Sequence, residues 1–323
     1  MKTIRVGVIG IGHLGRFHSL NYAQIPEAEL VGLYDVDSEK AAKVSQEANT
    51  HVFSDPDDLL GNVEAISVTV PTDKHFDVVM QALNRGVHCL VEKPIAQSVD
   101  EADKMILAAA EKSLILQVGQ IERFSPAMAS IQHLDIHPQF IEAHRLAPFN
   151  PRGTEVSVIL DLMIHDIDAV LHLVKSPIKQ IDASGVAVVS DTIDIANARL
   201  QFENGAVANL TASRISQKKM RKMRIFQKDT YVSIDFDAKI SEIYALENSG
   251  LHADMVLGEI GVGDKKKRII YHRPESDENG NALRDELSAF VKTIQGQKIP
   301  AVSGEEGRAA LAVAHDILQR IES

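Results

Sequence analysis

The sequence contains one cysteine, no tryptophan and only 5% aromatic residues across 323 positions. A single thiol excludes an internal disulfide and fits a reducing compartment. Cys89 sits inside an apolar strand pattern and reads as an inert core thiol. No uncharged apolar run approaches the length of about 18 residues that a membrane-spanning helix requires. The N-terminus enters a strand pattern directly, without the basic, apolar and small-residue regions of a signal peptide. A cytoplasmic location, with no membrane partner, is therefore expected. Positive charge is also in short supply: the formal net charge is −11, which argues against a nucleic-acid footprint. The basic run Lys265–Arg268 reads as a solvated loop or strand edge.

What is present begins at Ile4. Five of the six residues of Ile4–Ile9 are apolar or glycine, and the run is rich in β-branched residues and too short for a helix, so it reads as a buried strand. Gly10, Gly12 and Gly15 follow as G-x-G-x-x-G, where a strand must turn into a helix. The first glycine permits the bend, the second lets backbone approach a pyrophosphate, and the third lets helix lie against strand. A second apolar strand, Leu30 to Tyr34, ends in Asp35, twenty residues past Gly15. An acid there suits a ribose 2′-hydroxyl and repels a 2′-phosphate, which favours NAD over NADP.

Strands and helices alternate up to about Gln120, predicting a doubly wound parallel sheet of the Rossmann type over residues 1–120. Helices are expected at Ser38–Ala48, Asp73–Asn84 and Asp100–Lys112. Strands are expected near Val52 and at Ala65–Val70, Val87–Val91 and Leu114–Val118. Beyond this point the pattern changes. A strand at Phe140–Arg145 and a strongly helical stretch at Val156–Val174 precede a succession of strands. These are Ile195–Phe202, Ala206–Ser213, Met223–Phe226, Tyr231–Phe236, Ile240–Ala245 and Arg268–Tyr271, with Glu203-Asn204-Gly205 as a hairpin turn. Two helices, near Asp285–Ile294 and Gly304–Ile321, end the chain. The fold class is thus α/β, with residues 121–323 forming an α+β domain around a large, mostly antiparallel sheet.

Two constellations could do chemistry. Glu92-Lys93-Pro94 closes the fifth parallel strand, and ligands of open α/β sheets bind outside the carboxyl ends of the strands. Lys93 could hydrogen-bond a substrate hydroxyl and stabilise an oxyanion there. Asp161, His165, Asp168 and His172 fall within an arc of roughly 60° on an otherwise apolar helix, at 100° per residue. Asp161 lies one turn from His165 and can steer its imidazole, a candidate general base near neutral pH. Buried polar pairs satisfying one another would give the same pattern. Asp and His at helical spacing can hold zinc or iron, but neither a third ligand set nor H-E-x-x-H is visible, so no metal is expected.

Gly10–Gly15, Asp35, Glu92-Lys93-Pro94 and the D-x-x-x-H-x-x-D of Asp161, His165 and Asp168 together resemble the glucose–fructose oxidoreductase / inositol dehydrogenase / rhizopine-catabolism (Gfo/Idh/MocA) family. The resemblance runs the length of the chain, including Pro300 to Leu311. It implies an enzyme that oxidises a ring hydroxyl of a sugar or cyclitol with NAD(P), usually as a homodimer or homotetramer, here through the C-terminal sheet. It implies Lys93, Asp161 and His165 as the catalytic group. The turn of Gly10, Ile11, Gly12, His13, Leu14 and Gly15 is expected under the pyrophosphate. Asp35, Pro71, Thr72, Glu92 and Lys93 also face the cofactor, with His75 bordering that loop. Within the family, Gln120–Pro126, Arg145–Ile167 and Arg224–Phe236 are most similar to the UDP-N-acetylglucosamine 3-dehydrogenases, which act on the route to amide-linked lipid A. Such a nucleotide-sugar substrate would lie against Lys93, Asp161 and His165, and Arg123, Arg145, Arg152 and Arg214 are candidates to meet its anionic part. The alternatives are an inositol or free-sugar dehydrogenase, a biliverdin-reductase-like reductase, and a non-catalytic NAD sensor.

Overall fold

Every residue of β1 (Ile4–Ile9) except Arg5 is buried, as its apolar β-branched run demands. α1 (His13–Tyr22), β2 (Ala28–Tyr34), α2 (Ser38–Ala48), β3 (His51–Val52) and α3 (Pro56–Leu60) follow. Then come β4 (Ala65–Val68), α4 (His75–Asn84), β5 (His88–Glu92), α5 (Val99–Glu111) and β6 (Leu116–Gly119). The six strands are all parallel, in the order β3-β2-β1-β4-β5-β6. The winding reverses at β1, which lies between β2 and β4, and a ligand crevice belongs at the carboxyl ends of strands beside such a switch point. Local chemistry sets the helix starts: Asp37, Asp55 and Ser98 accept backbone N–H bonds at the first turns of α2, α3 and α5.

The computed structural model describes residues 2–151, 153–298 and 301–322. Its second half opens with the short α6 (Pro126–Ala129) and β7 (Phe140–Leu146). A π turn over Ile159–Met163 runs on into α7 (Ile164–Val174). Eight strands follow: β8 (Ile178–Val186), β9 (Ile195–Phe202), β10 (Val207–Ser213), β11 (Met220–Gln227), β12 (Thr230–Asp235), β13 (Ile240–Leu246), β14 (Met255–Ile260) and β15 (Lys267–His272). With β7 they make one nine-stranded sheet, β14-β15-β13-β12-β11-β7-β10-β9-β8, antiparallel except where β7 meets β10. Strand alternation divides this sheet into two faces. Ile141, Ala143, Ala198, Leu210, Ile225, Val232 and Ile243 are buried on one face. On the other, Phe140, Phe226, Tyr231, Tyr244 and Tyr271 stand in register across five strands, each half-buried. The edge strands β8 and β14 are additions to the expected set. β14 is exposed along its whole length, so it carries no alternating burial signature.

The domain limits need a correction. The chain divides into Met1–Ile121 with Asn281–Ala312, and Glu122–Gly280 with Val313–Ser323. Residues 281–312, expected in the second domain, therefore return to the first. α8 (Ala282–Ile294) buries Leu287, Phe290 and Val291 in one cluster with Val6, Val8, Ile11, Tyr22 and Leu33. The side chain of Asn281 donates to that of Asn21 at 2.6 Å at the start of this helix. The unit boundary falls within α9 (Gly304–Glu322). Among the described residues, no helix is long and apolar enough to cross a membrane.

Because α8 completes the core of the first unit, Phe290→Ala should remove about 3–5 kcal/mol of stability, the usual cost of an excised buried ring. Urea unfolding of the full chain reads this directly, and a loss well under 1 kcal/mol would mean that α8 is an accessory to that core.

Candidate active site

In the first unit, the G-x-G-x-x-G turn is held from several sides. Gly10 has φ +94°, a left-handed conformation that favours glycine, and a Cβ there would strike the Val70 backbone nitrogen at 2.6 Å. A Cβ on Gly15 would collide with the Gly10 carbonyl. Gly12 differs: its φ is −73° and a Cβ would meet nothing within 4 Å, so neither backbone nor packing demands glycine there. That open cradle lies at the start of α1, whose N-cap Gly12 offers no side-chain cap and whose first turn contains no acid. The helix N–H groups and their positive end are left to an anion, as a pyrophosphate requires.

Asp35 lies half-buried at the end of β2, beside this turn. One carboxylate oxygen accepts the Ile11 N–H and the other accepts the Asp37 N–H at 2.8 Å. The Thr69 hydroxyl donates to the Gly10 carbonyl at 2.6 Å and buttresses the bend from β4. Pro71 and Thr72 follow β4 and open a 3₁₀ turn over Thr72–Lys74. His13 and Leu14 are exposed in the first turn of α1, and Ile11 is buried beneath it.

Lys93 follows β5 directly, and its backbone N–H lies 3.3 Å from the Glu92 carboxylate. The other Glu92 oxygen takes a 3.0 Å hydrogen bond from Nε2 of His18, a fully buried residue of α1. Burial alone would raise the Glu92 carboxyl; His18 and Lys93 outweigh it and hold the group below the usual carboxylate range. His18 and Thr69 had no signal in sequence, since their partners lie 74 and 59 residues away along the chain.

His75 requires a correction. Its ring is buried, with Nδ1 2.8 Å from the Pro94 carbonyl and Nε2 3.0 Å from that of Val70. Burial lowers its pKa below the ordinary histidine value, against the opposing pull of the two carbonyls. Both ring nitrogens face backbone carbonyls, of the loop after β5 and the loop after β4, and a neutral ring donates to one of them. Cys89 is buried as expected, and burial pushes its thiol well up.

In the second unit, Asp161 and His165 are both half-buried. Asp161 lies within the π turn, whose hydrogen bonds run i→i+5 and which breaks the uniform 100° step from which a single stripe was expected. The lower half of that stripe is structural. Asp168 is buried in a two-pronged ion pair with Arg123, at 2.7 Å for each bond. Arg123 also donates to Nδ1 of His172 at 2.6 Å, and since arginine cannot accept, that nitrogen is the lone-pair one.

Arg123, Arg145 and Arg214 were expected to meet a substrate anion, and their surroundings overturn this. Arg145, on the covered face of β7, pairs with both oxygens of Asp166 at 2.9 and 3.0 Å and with Glu122 at 2.9 Å. Burial would lower its pKa, but the two carboxylates outweigh burial and keep the guanidinium firmly protonated. Glu122 also receives Arg221. Arg214, likewise buried, donates to the carbonyls of Gly153, at 2.8 Å, and Val156, pinning the loop ahead of the π turn. Charges buried in this way are committed to their partners. Arg152 lies outside the described residues.

Comparison with known proteins places both parts of the chain in one family. Residues 4–120 match the family described as "Oxidoreductase family, NAD-binding Rossmann fold", and residues 134–231 match its "GFO/IDH/MocA C-terminal domain". UDP-N-acetylglucosamine 3-dehydrogenase of Acidithiobacillus ferrooxidans is 40% identical, over 100% of this chain and 99% of its own. The chain belongs to the Gfo/Idh/MocA oxidoreductase family. It is an oxidoreductase, and its first unit is an NAD-binding Rossmann domain, whose Gly12 cradle and uncapped α1 suit the cofactor. The crystal structure of the A. ferrooxidans enzyme superposes with a TM-score of 0.89 at 37% identity, covering 100% and 99% of the two chains. A scyllo-inositol dehydrogenase from Lactobacillus casei, with NAD(H) and scyllo-inositol bound, shares the fold at 22% identity and a TM-score of 0.78, over 99% and 97%.

If Arg123 and Arg145 are structural, Arg123→Ala and Arg145→Ala should each cost about 3–5 kcal/mol, because an uncompensated buried carboxylate remains. Thermal unfolding of both variants checks this. Wild-type melting with a raised KM for an anionic sugar would restore them as substrate anchors.

Proposed function

We propose that this enzyme oxidises the 3-hydroxyl of UDP-N-acetylglucosamine with NAD as acceptor, in the cytoplasm. The observation that carries the reading is the 40% identity, spanning essentially both full chains, to a UDP-N-acetylglucosamine 3-dehydrogenase. NAD, when bound, supplies the hydride acceptor. The chain's own residues then divide the remaining work. His165 takes the hydroxyl proton as general base, and Asp161 orients its ring. Lys93 is assigned the stabilisation of the developing alkoxide. The buried Arg145–Asp166 pair supports these roles by fixing α7 against the sheet, and the His18–Glu92 bond does the same for the backbone at Lys93. The half-buried Asp35 carboxylate supports NAD over NADP, since it disfavours a 2′-phosphate.

Assayed as NADH formation with removal of NADH, UDP-N-acetylglucosamine should far outrun glucose, inositol and free N-acetylglucosamine, and NAD should outrun NADP. Lys93→Ala and His165→Ala should each lower turnover by at least about 100-fold while retaining NAD binding. Inositol oxidation with no turnover of any nucleotide sugar would sink the substrate assignment. No oxidation of any sugar or cyclitol by a folded, NAD-binding protein would instead favour a sensor.

We also read the open sheet face as the surface of a homodimer or homotetramer. Its ladder of Phe140, Phe226, Tyr231, Tyr244 and Tyr271 has successive ring centroids 4.8–5.8 Å apart, an apolar strip that favours burial against another copy. Light-scattering mass should show a dimer or tetramer that Tyr231→Glu/Tyr244→Glu dissociates; a wild-type monomer at micromolar concentration would overturn this.

A further inference from the structure

At the β14–β15 edge of the nine-stranded sheet, His252, Asp254 and His272 converge. Each offers one ligand atom, and all three atoms lie within 4.8 Å of one another. Strand pairing brings them together: Met255 faces Tyr271, and the Asp254 N–H donates to the Tyr271 carbonyl at 2.9 Å. Asp254 therefore lies opposite His272, and His252 comes two residues before it. The Asp254 carboxylate bridges the rings, 3.0 Å from Nδ1 of His272 and 3.3 Å from Nε2 of His252. The rings stand nearly perpendicular, at 88°, with centroids 5.3 Å apart, so they do not stack face to face.

We propose that His252, Asp254 and His272 chelate a first-row divalent transition cation, zinc above all. Two neutral imidazoles and a carboxylate form a donor set that such ions prefer over calcium or magnesium, which seek oxygen ligands. The backbone N–H of Arg273 donates to the Asp254 carboxylate at 2.8 Å and fixes its direction, the part outer partners play around a bound metal. The Arg273 guanidinium is turned to Glu278, at 3.1 Å, which neutralises its charge near a cation. The side chains are 75%, 40% and 19% exposed for His252, Asp254 and His272, so the ion can enter and water can complete its coordination. His272 follows Tyr271 in the strand and so faces away from the aromatic ladder. The site is therefore compatible with self-association through that ladder. A cation there would tie the segment before β14 to the end of β15.

The test uses the full chain, stripped with chelator and dialysed, titrated with zinc by calorimetry and with cobalt by visible absorption. The expected result is one zinc per chain with micromolar affinity, and a cobalt spectrum of nitrogen and oxygen ligation. His252→Ala, Asp254→Asn and His272→Ala should each weaken binding at least about tenfold. His137→Ala, which removes an exposed histidine paired with Asp135 outside this cluster, should not. Matching circular dichroism and melting curves for the zinc-free proteins establish that the variants fold, and His252, the most exposed, serves if another variant does not. No stoichiometric binding in the micromolar range, or binding indifferent to all three substitutions, would overturn the proposal.

Discussion

A guanidinium taken out of water must have its N–H groups and charge satisfied, and the second unit is arranged around that requirement. Arg145 projects from the covered face of β7 and is matched by Asp166 of α7 and by Glu122. Arg123, one residue after Glu122, is matched by Asp168, two residues after Asp166. These two arginines clamp α7 at neighbouring positions and leave it one rotation and one height against the sheet. The apolar side chains of α7 could tolerate small slides, as hydrophobic contacts are not directional. The paired charges could not, because a slip would strand a buried ion. The orientation of Asp161 and His165, at the head of the same helix, follows from this clamp.

The first unit uses weaker polar ties for a similar end. Thr69 holds the Gly10 carbonyl, Asp35 holds the Ile11 N–H, and His18 holds Glu92 beside Lys93. His75 joins the loops after β4 and β5. The carboxyl ends of four parallel strands are thereby linked by bonds between side chain and backbone or by side-chain pairs, beneath a helix end left uncapped. Rigid loops of this kind preorganise a binding surface, and most of the polar residues near the cofactor's place are engaged in holding backbone.

The pairing of the second unit's arginines also removes them as ready anchors for an anionic ligand. Three arginines that looked available in sequence are committed to internal carboxylates or carbonyls. Their value lies in shaping the sheet–helix layer and the loop over Gly153–Val156.

Sequence alone determined the elements whose signals are local. A β-branched run, glycines at positions 10, 12 and 15, an acid closing β2, and regular strand–helix alternation gave the Rossmann unit and its cofactor side, because parallel strands buried on both faces must be continuously apolar. The alternating strands of the second unit were legible for the same reason, one face being covered. Only the tertiary structure decided what depended on distant partners. The edge strand β14 is exposed along its whole length and so lacks the alternation that reveals a strand, whereas in β8 only Ile181 is fully buried among polar and small residues. α8 reads simply as an amphipathic helix, and only the cluster it completes with β1 and α1 shows which unit it joins. The π turn altered the phase of the polar stripe, a shift no spacing rule at 100° per residue contains. Arg123, Arg145 and His75 carry side chains suited to ligands, yet burial and partners far along the chain assign them to the protein itself, since a desolvated polar group must be satisfied wherever the fold places it.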